Sequence, residues 1–149
     1  MDFLPLFHNL KCRRVIVIGG GEIALRKVRL VAEADAYITI VAKEICTDLI
    51  EMHDTNAKKG IHNLELITAS YEQQHIENIP DAVLVIAATN DPELNREVSK
   101  HAQQAHMLSN VVDDPGYSTV IFPSIVDRSP IQIAISSGGD APVLVRLIR

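Results

Sequence analysis

Val15-Ile16-Val17-Ile18-Gly19-Gly20-Gly21-Glu22-Ile23-Ala24 is the stretch that orders the rest of the chain. Four β-branched apolar residues in a row read as a strand buried on both faces, and three glycines stop it in a tight turn. Helical spacing follows at once. Ile23, Ala24, Val28, Val31 and Ala32 recur between Arg26, Lys27 and Arg29 as far as about Glu33, an apolar stripe with a basic face. Strand, turn and helix in this order give meaning to the pattern Gly19-x-Gly21-x-x-Ala24. Gly19 permits the turn, Gly21 lets the backbone approach a pyrophosphate, and the small Ala24 lets the helix pack close to the strand. The helix N-terminus adds unpaired N–H groups and the positive end of its dipole. The loop Gly19, Gly20, Gly21 is thus a candidate dinucleotide cradle, against the alternative of a glycine turn that holds no ligand.

The same alternation continues downstream. Tyr37–Val41 reads as a second strand and Glu44 to about Lys58 as a helix ended by Gly60. Leu64–Thr68 reads as a third strand, and Tyr71–Pro80 as a short irregular or helical stretch. Ala82–Ala88 is apolar throughout, as a central parallel strand should be. Thr89-Asn90-Asp91-Pro92 then signals a turn and N-cap with proline at N1, opening a polar helix from Glu93 to about Ala105. Met107–Val112 is the fifth strand. Strands and helices alternating at this spacing imply right-handed βαβ units, so the fold class is α/β, a Rossmann-like doubly wound parallel sheet. After Asp113-Asp114-Pro115-Gly116 the rhythm changes. Tyr117–Val126 and Pro130–Ser136 look like two extended segments joined by Asp127-Arg128-Ser129, with Ser136-Ser137-Gly138-Gly139 leading to a helix near Ala141-Pro142. Residues 1–113 are read as the nucleotide domain and 114–149 as a small dimerisation segment with extended strands. About 35 residues bury little core alone, so a second copy of the chain is the expected partner.

Composition narrows the functional classes. The 149 residues are 47% hydrophobic and 22% charged, a globular balance with enough apolar material for a core. Fourteen Lys and Arg against nineteen Asp and Glu give a formal charge of −5, which disfavours nucleic-acid binding through a general basic field. Cys12 and Cys46 form no C-x-x-C pair, which argues against a zinc ribbon or disulfide scaffold and fits a reducing cytoplasm. The start lacks a basic and then apolar leader, and no apolar run approaches the ~20 residues of a membrane span. None of the six histidines pairs with another His or a Cys at helical ligand spacing, so no tightly held metal is expected.

In open α/β sheets ligands gather outside the carboxyl ends of strands. That rule singles out Thr89, Asn90 and Asp91 after the fourth strand, and Asn110 and Asp113 at or near the end of the fifth. Asp113 can project from a rigid strand end into the crevice, or else cap its own turn. The acid expected at the end of the second strand is missing, because that strand ends Ile40-Val41-Ala42. Lys43 and Glu44 stand in its place: Glu44 can accept from a ribose hydroxyl, Lys43 can favour a 2′-phosphate, and either alone reads equally as a solvated helix start. The balance leans to NAD over NADP.

Six blocks carry a resemblance. Phe3–Phe7, Val17–Lys27, Ala87–Asp91, Asn110–Asp113, Pro123–Pro130 and Ser136–Gly139, in this order over nearly the whole chain, resemble the precorrin-2 dehydrogenase/sirohydrochlorin ferrochelatase family, the N-terminal half of sirohaem synthases. The resemblance implies NAD-dependent oxidation of precorrin-2 to sirohydrochlorin, in some relatives followed by iron insertion. It places the catalytic aspartate on Asp113 and dinucleotide contacts on Glu22-Ile23 and Lys43-Glu44. It also implies a dimerisation region and a helical C-terminal domain; the stop at Arg149 would leave that last domain largely absent. Relatives have a small hydroxyl residue and proline after the double glycine and one spacer, where this chain has Asp140-Ala141-Pro142; Asp140, and Asp114 beside Asp113, add negative charge near a site for a polycarboxylate. Arg26, Lys27, Arg128 and Arg146 are candidates for its carboxylates, with backbone donors from Ser137 and Gly138. The competing class is a dinucleotide-sensing Rossmann module without chemistry, which would not need the blocks after Asp113. A site for S-adenosylmethionine also uses glycine loops, but the resemblance assigns methyl transfer to a separate domain.

Overall fold

The computed structural model describes residues 2–137, and its core is one parallel sheet. The strands are β1 (Arg14–Ile18), β2 (Tyr37–Ala42), β3 (Leu64–Thr68), β4 (Ala82–Ala87) and β5 (Leu108–Val111), in the order β3-β2-β1-β4-β5. Between them run α1 (Glu22–Ala32), α2 (Thr47–Lys58), the single turn α3 (Gln74–Glu77) and α4 (Pro92–Gln104). β1 is central, and all four pairings are parallel. Val15 to Ile18 are at most 1% exposed, which is why that run carries no polar residue. Alternate residues of β1 enter two cores: Val15 and Val17 pack with α1 and α2, and Ile16 and Ile18 pack on the side of α3 and α4. Each such side chain contributes about 1.5–3 kcal/mol of transfer free energy.

The helices follow from their apolar spacing and their ends. α1 buries Ala24, Leu25, Val28 and Val31, one face of a helix. α2 begins at Thr47 rather than Glu44, since residues 43–46 are drawn over the glycine loop by the bond from Cys46 N–H to the Gly20 carbonyl (2.8 Å). Its far end closes as the glycine suggested. Gly60 has φ 73, and the N–H groups of Gly60 and Ile61 donate to the Ala57 and Asn56 carbonyls, the pattern of a Schellman motif. α4 starts as read: Asp91 is the N-cap, its carboxylate accepting from Glu93 N–H (3.0 Å) and Leu94 N–H (3.2 Å), with Pro92 at N1.

The chain beyond β5 departs from the expected pattern. Tyr117 lies in a 3-10 turn (Pro115–Tyr117), not in an extended segment, and the hairpin is shorter than expected: β6 (Ser124–Arg128) pairs antiparallel with β7 (Ile131–Ile135). The cause is the open edge of β5. Thr119 and Val120 N–H groups donate to the Ser109 carbonyl, Ser109 N–H donates to Thr119 Oγ1 (2.7 Å), and Val111 N–H donates to Ser118 Oγ (2.8 Å). Residues 118–120 therefore satisfy an edge that would otherwise present free backbone groups, and Val120 and Phe122 pack on the α1 side of the core. The expected helix near Ala141 lies outside the described residues. Among those described, no helix is long and apolar enough to cross a membrane.

Asp91→Ala leaves two N–H groups of α4 without acceptors. The expected cost is about 1 kcal/mol of stability, read as a lowered midpoint in urea with an unchanged denaturant slope.

Candidate functional site

Three backbone turns converge outside the carboxyl edge of the sheet, at the point where chain connections leave β1 in opposite directions. Gly19 closes β1: its N–H donates to the Val41 carbonyl (2.9 Å), and with φ 126 a Cβ there would run into the carbonyl of Ala88. Gly20 faces the other turn, where a Cβ would collide with the Glu44 carbonyl oxygen and the Ala42 methyl. These two glycines let the loop sit between the turns that follow β4 and β2. Gly21 is different. Its φ of −90 and ψ of −170 suit any residue, and a Cβ there would meet nothing within 4 Å. Nothing in the protein requires glycine at this position, and the space lies at the N-cap of α1, which has no side-chain cap. The first-turn N–H groups of a helix lack intrahelical partners. A diphosphate suits both features, since it needs close backbone approach and N–H donors.

The loop also gathers the flanking candidates. Glu22 opens α1 and is exposed, whereas Ile23 is half-buried against the core. Lys43 and Glu44 are exposed and sit beside the loop through the close approach of the Glu44 backbone to Gly20. Thr89 is held firmly: its N–H (3.0 Å) and hydroxyl (2.6 Å) both donate to Asn95 Oδ1, and Asn95 Nδ2 returns a bond to the Thr89 carbonyl (3.0 Å). Asn95, 5% exposed, is the clamp of this turn, and no spacing in a polar helix distinguishes it beforehand.

β5 supplies the remaining groups. Val112 N–H donates to the Ala87 carbonyl (3.0 Å), which carries the end of β5 alongside that of β4. Asn110 is 5% exposed, and its Nδ2 donates to the Val120 carbonyl (3.0 Å). Its Oδ1 is buried and has no hydrogen-bond partner among the described residues, a deficit of roughly 1–3 kcal/mol that a donor from a ligand or a water would remove. Asp113 is exposed and has φ 58, a left-handed conformation that aspartate tolerates better than most residues. Asp114 turns away from it to Arg96 of α4 (3.2 Å), so the extra acid is matched by a cation. Lys27 of α1 comes near Asp113. Burial pushes its ammonium below the usual lysine range, the Asp113 carboxylate partly opposes this, and Arg26 adds to the depression. The Lys27 Nζ lies 4.3 Å from the centre of the Phe122 ring.

The remaining expected groups lie in the chain after β5. Arg128 ends β6 and donates to the neighbouring Asp127 carbonyl (3.1 Å). Ser137 is half-buried at the limit of the described residues. Gly138, Asp140 and Arg146 lie outside them. Among the described residues no group of three His, Cys, Asp or Glu side chains is placed to hold a metal ion.

A doubly wound sheet with a Cβ-free loop at its switch point and an open helix N-terminus defines a dinucleotide-binding domain. Comparison with known proteins agrees: residues 6–124 match the family described as "Putative NAD(P)-binding" and residues 128–149 the one described as "Sirohaem biosynthesis protein central". The chain belongs to this NAD(P)-binding family. It is 51% identical over all 149 residues to a siroheme synthase of Stutzerimonas stutzeri (strain A1501) and 52% identical to one of Pseudomonas entomophila (strain L48). It spans 30% of the length of each. A solved structure described as SirC, precorrin-2 dehydrogenase, superposes with a TM-score of 0.75 at 26% identity, over 98% of this chain and 67% of that one.

The glycines are expected to separate by substitution. Gly19→Ala and Gly20→Ala overpack a backbone contact and should each cost at least ~1–3 kcal/mol of stability. Gly21→Val should keep the thermal midpoint of the parent while weakening NAD binding at least tenfold by calorimetry.

Proposed function

We propose that this chain is an NAD-dependent precorrin-2 dehydrogenase unit, producing sirohydrochlorin. The observation that carries the reading is Asp113, an exposed carboxylate at the end of β5 on the same sheet edge as the Cβ-free glycine loop. The identity to siroheme synthases and the likeness to a precorrin-2 dehydrogenase supply the substrate class. Gly19, Gly20 and Gly21 seat the pyrophosphate with the first-turn N–H groups of Glu22 and Ile23. Glu44 accepts from a ribose hydroxyl and Lys43 lies beside it, while Thr89 and Asn110 line the path towards the nicotinamide. NAD+, when bound, supplies the hydride acceptor. Asp113 acts as general base: as a hydride leaves one carbon of the substrate, its carboxylate takes the proton released from the neighbouring position. The products are sirohydrochlorin, NADH and one proton. Arg128, Ser137 and Gly138 are assigned to the carboxylates of the substrate.

Residues 114–149 are proposed to form a homodimer interface, with residues 118–120 also covering the edge of β5. What supports this is the β6–β7 hairpin, a two-stranded sheet too small to be stable alone, with Ile131 and Ile133 64% and 50% exposed on one face. Both cysteines are free, which suits the cytoplasm.

Asp113→Asn should lower the rate of sirohydrochlorin formation by about 10²–10⁴-fold in an anaerobic absorbance assay while NAD affinity stays at the parental value. Equal turnover by both proteins removes Asp113 as the base. NAD binding by the parent with no turnover favours the sensing module instead. Sedimentation should give a dimer, and a monomer would count against the interface assigned to 114–149.

A further inference from the structure

Among the described residues Lys27 is the one Lys or Arg that is not exposed. Arg14, Arg29 and Arg96 each lie within 3.3 Å of a carboxylate oxygen, on Asp81, Asp48 and Asp114. Lys27 is half-buried, yet no hydrogen bond or ion pair among the described residues engages its ammonium. Two features hold it: the Phe122 ring under its Nζ and the attraction of the Asp113 carboxylate. Withdrawing an ammonium from water without giving its N–H groups acceptors is costly, and a cation over an aromatic face recovers only part of that cost. An anionic ligand recovers more, because a hydrogen bond between ammonium and carboxylate is charge-assisted.

Position identifies which ligand. Lys27 lies six residues beyond Gly21, about 9 Å along the helix axis at 1.5 Å per residue, past the phosphate-binding end of α1. It neighbours the end of β5 and the segment that carries Val120 and Phe122, the part of the site assigned above to the reacting substrate. Phe122 belongs to no helix or strand, and its ring packs on the core side of this corner.

We propose that Lys27 anchors one carboxylate of the anionic tetrapyrrole: its ammonium, held between Phe122 and Asp113, bridges that carboxylate and the base and sets the reacting ring beside Asp113. This rests on the dehydrogenase reading. The depressed basicity of Lys27 accords with an ammonium that lacks a full set of acceptors until substrate arrives. A substrate carboxylate brought next to Asp113 would otherwise meet like charge, and an ammonium between the two removes that repulsion.

The test uses the full chain as parent, Lys27→Gln, Lys27→Arg and Phe122→Leu, each first compared by thermal midpoint. Sirohydrochlorin binding is titrated anaerobically by its absorbance, NAD binding by calorimetry, and turnover of precorrin-2 by initial rates. Lys27→Gln should raise both the sirohydrochlorin Kd and the precorrin-2 KM about tenfold or more, with kcat within about threefold and the NAD Kd within about twofold. Lys27→Arg should recover most of the loss, and Phe122→Leu should show a smaller loss of the same kind. A folded Lys27→Gln protein with unchanged Kd and KM overturns the proposal, as does a loss of NAD affinity equal to the loss of tetrapyrrole affinity. Should Lys27→Gln not fold, parental Kd and KM for the tetrapyrrole in a folded Phe122→Leu protein overturn it. A parent that binds NAD but neither binds sirohydrochlorin nor turns over precorrin-2 overturns the dehydrogenase reading itself, and the anchor with it.

Discussion

The site depends on backbone meeting backbone where side chains would not fit. Gly19 lies against the Ala88 carbonyl and Gly20 against that of Glu44, so the turns after β1, β2 and β4 close into one rim. With a methyl group at either glycine the loop must move off one neighbour, and the entry to α1 moves with it. The start of α2 at Thr47, the position of Lys43 and Glu44, and the opening before α1 are consequences of that close approach. Gly21 is the informative contrast, a glycine with ample room around it, whose freedom serves something outside the chain.

Electrostatics at this rim are arranged pair by pair. On the proposed reading, an acidic chain that receives a polycarboxylate must place its cations where the ligand lies and neutralise acids that would repel it. Asp114, adjacent in sequence to Asp113, is matched by Arg96 across α4. That pairing is partly exposed and adds at most about 1 kcal/mol to stability; its effect here is on local charge. Asp113 instead interacts electrostatically with the Lys27 ammonium. Adjacent acids thus have different surroundings because the turn after β5 changes direction between them, Asp113 itself taking a left-handed φ of 58.

The covered edge of β5 links the sheet to whatever follows. Residues 118–120 bond to Ser109, Asn110 and Val111 without forming a ladder, and this detour brings Phe122 to Lys27 and Val120 to Asn110. Sequence reading took Tyr117–Val126 as one extended segment and missed the detour, because its hydrogen bonds run from Ser and Thr hydroxyls to a strand edge whose exposure is decided only by strand order. The same reason hid Asn95, whose burial depends on the turn that it clamps.

What the sequence by itself determined is local or periodic. The β-branched run Val15–Ile18 with its three glycines, the alternation of apolar periods, and Asp91-Pro92 as a helix start each act within a few residues through backbone sterics and capping, so five strands and their helices are legible with ends shifted by at most three residues. The glycine loop, Lys43, Glu44, Asn110 and Asp113 were legible as candidates because strand ends in such sheets gather ligands. Tertiary structure alone decided which of them meet: that Gly20 needs its hydrogen because Glu44 arrives there, that Asp114 goes to Arg96, and that Lys27, read both as a candidate for a substrate carboxylate and as part of the basic face of α1, lies half-buried over Phe122 and feels the charge of Asp113. Those outcomes depend on contacts between residues up to 95 positions apart, and spacing along the chain carries no record of them.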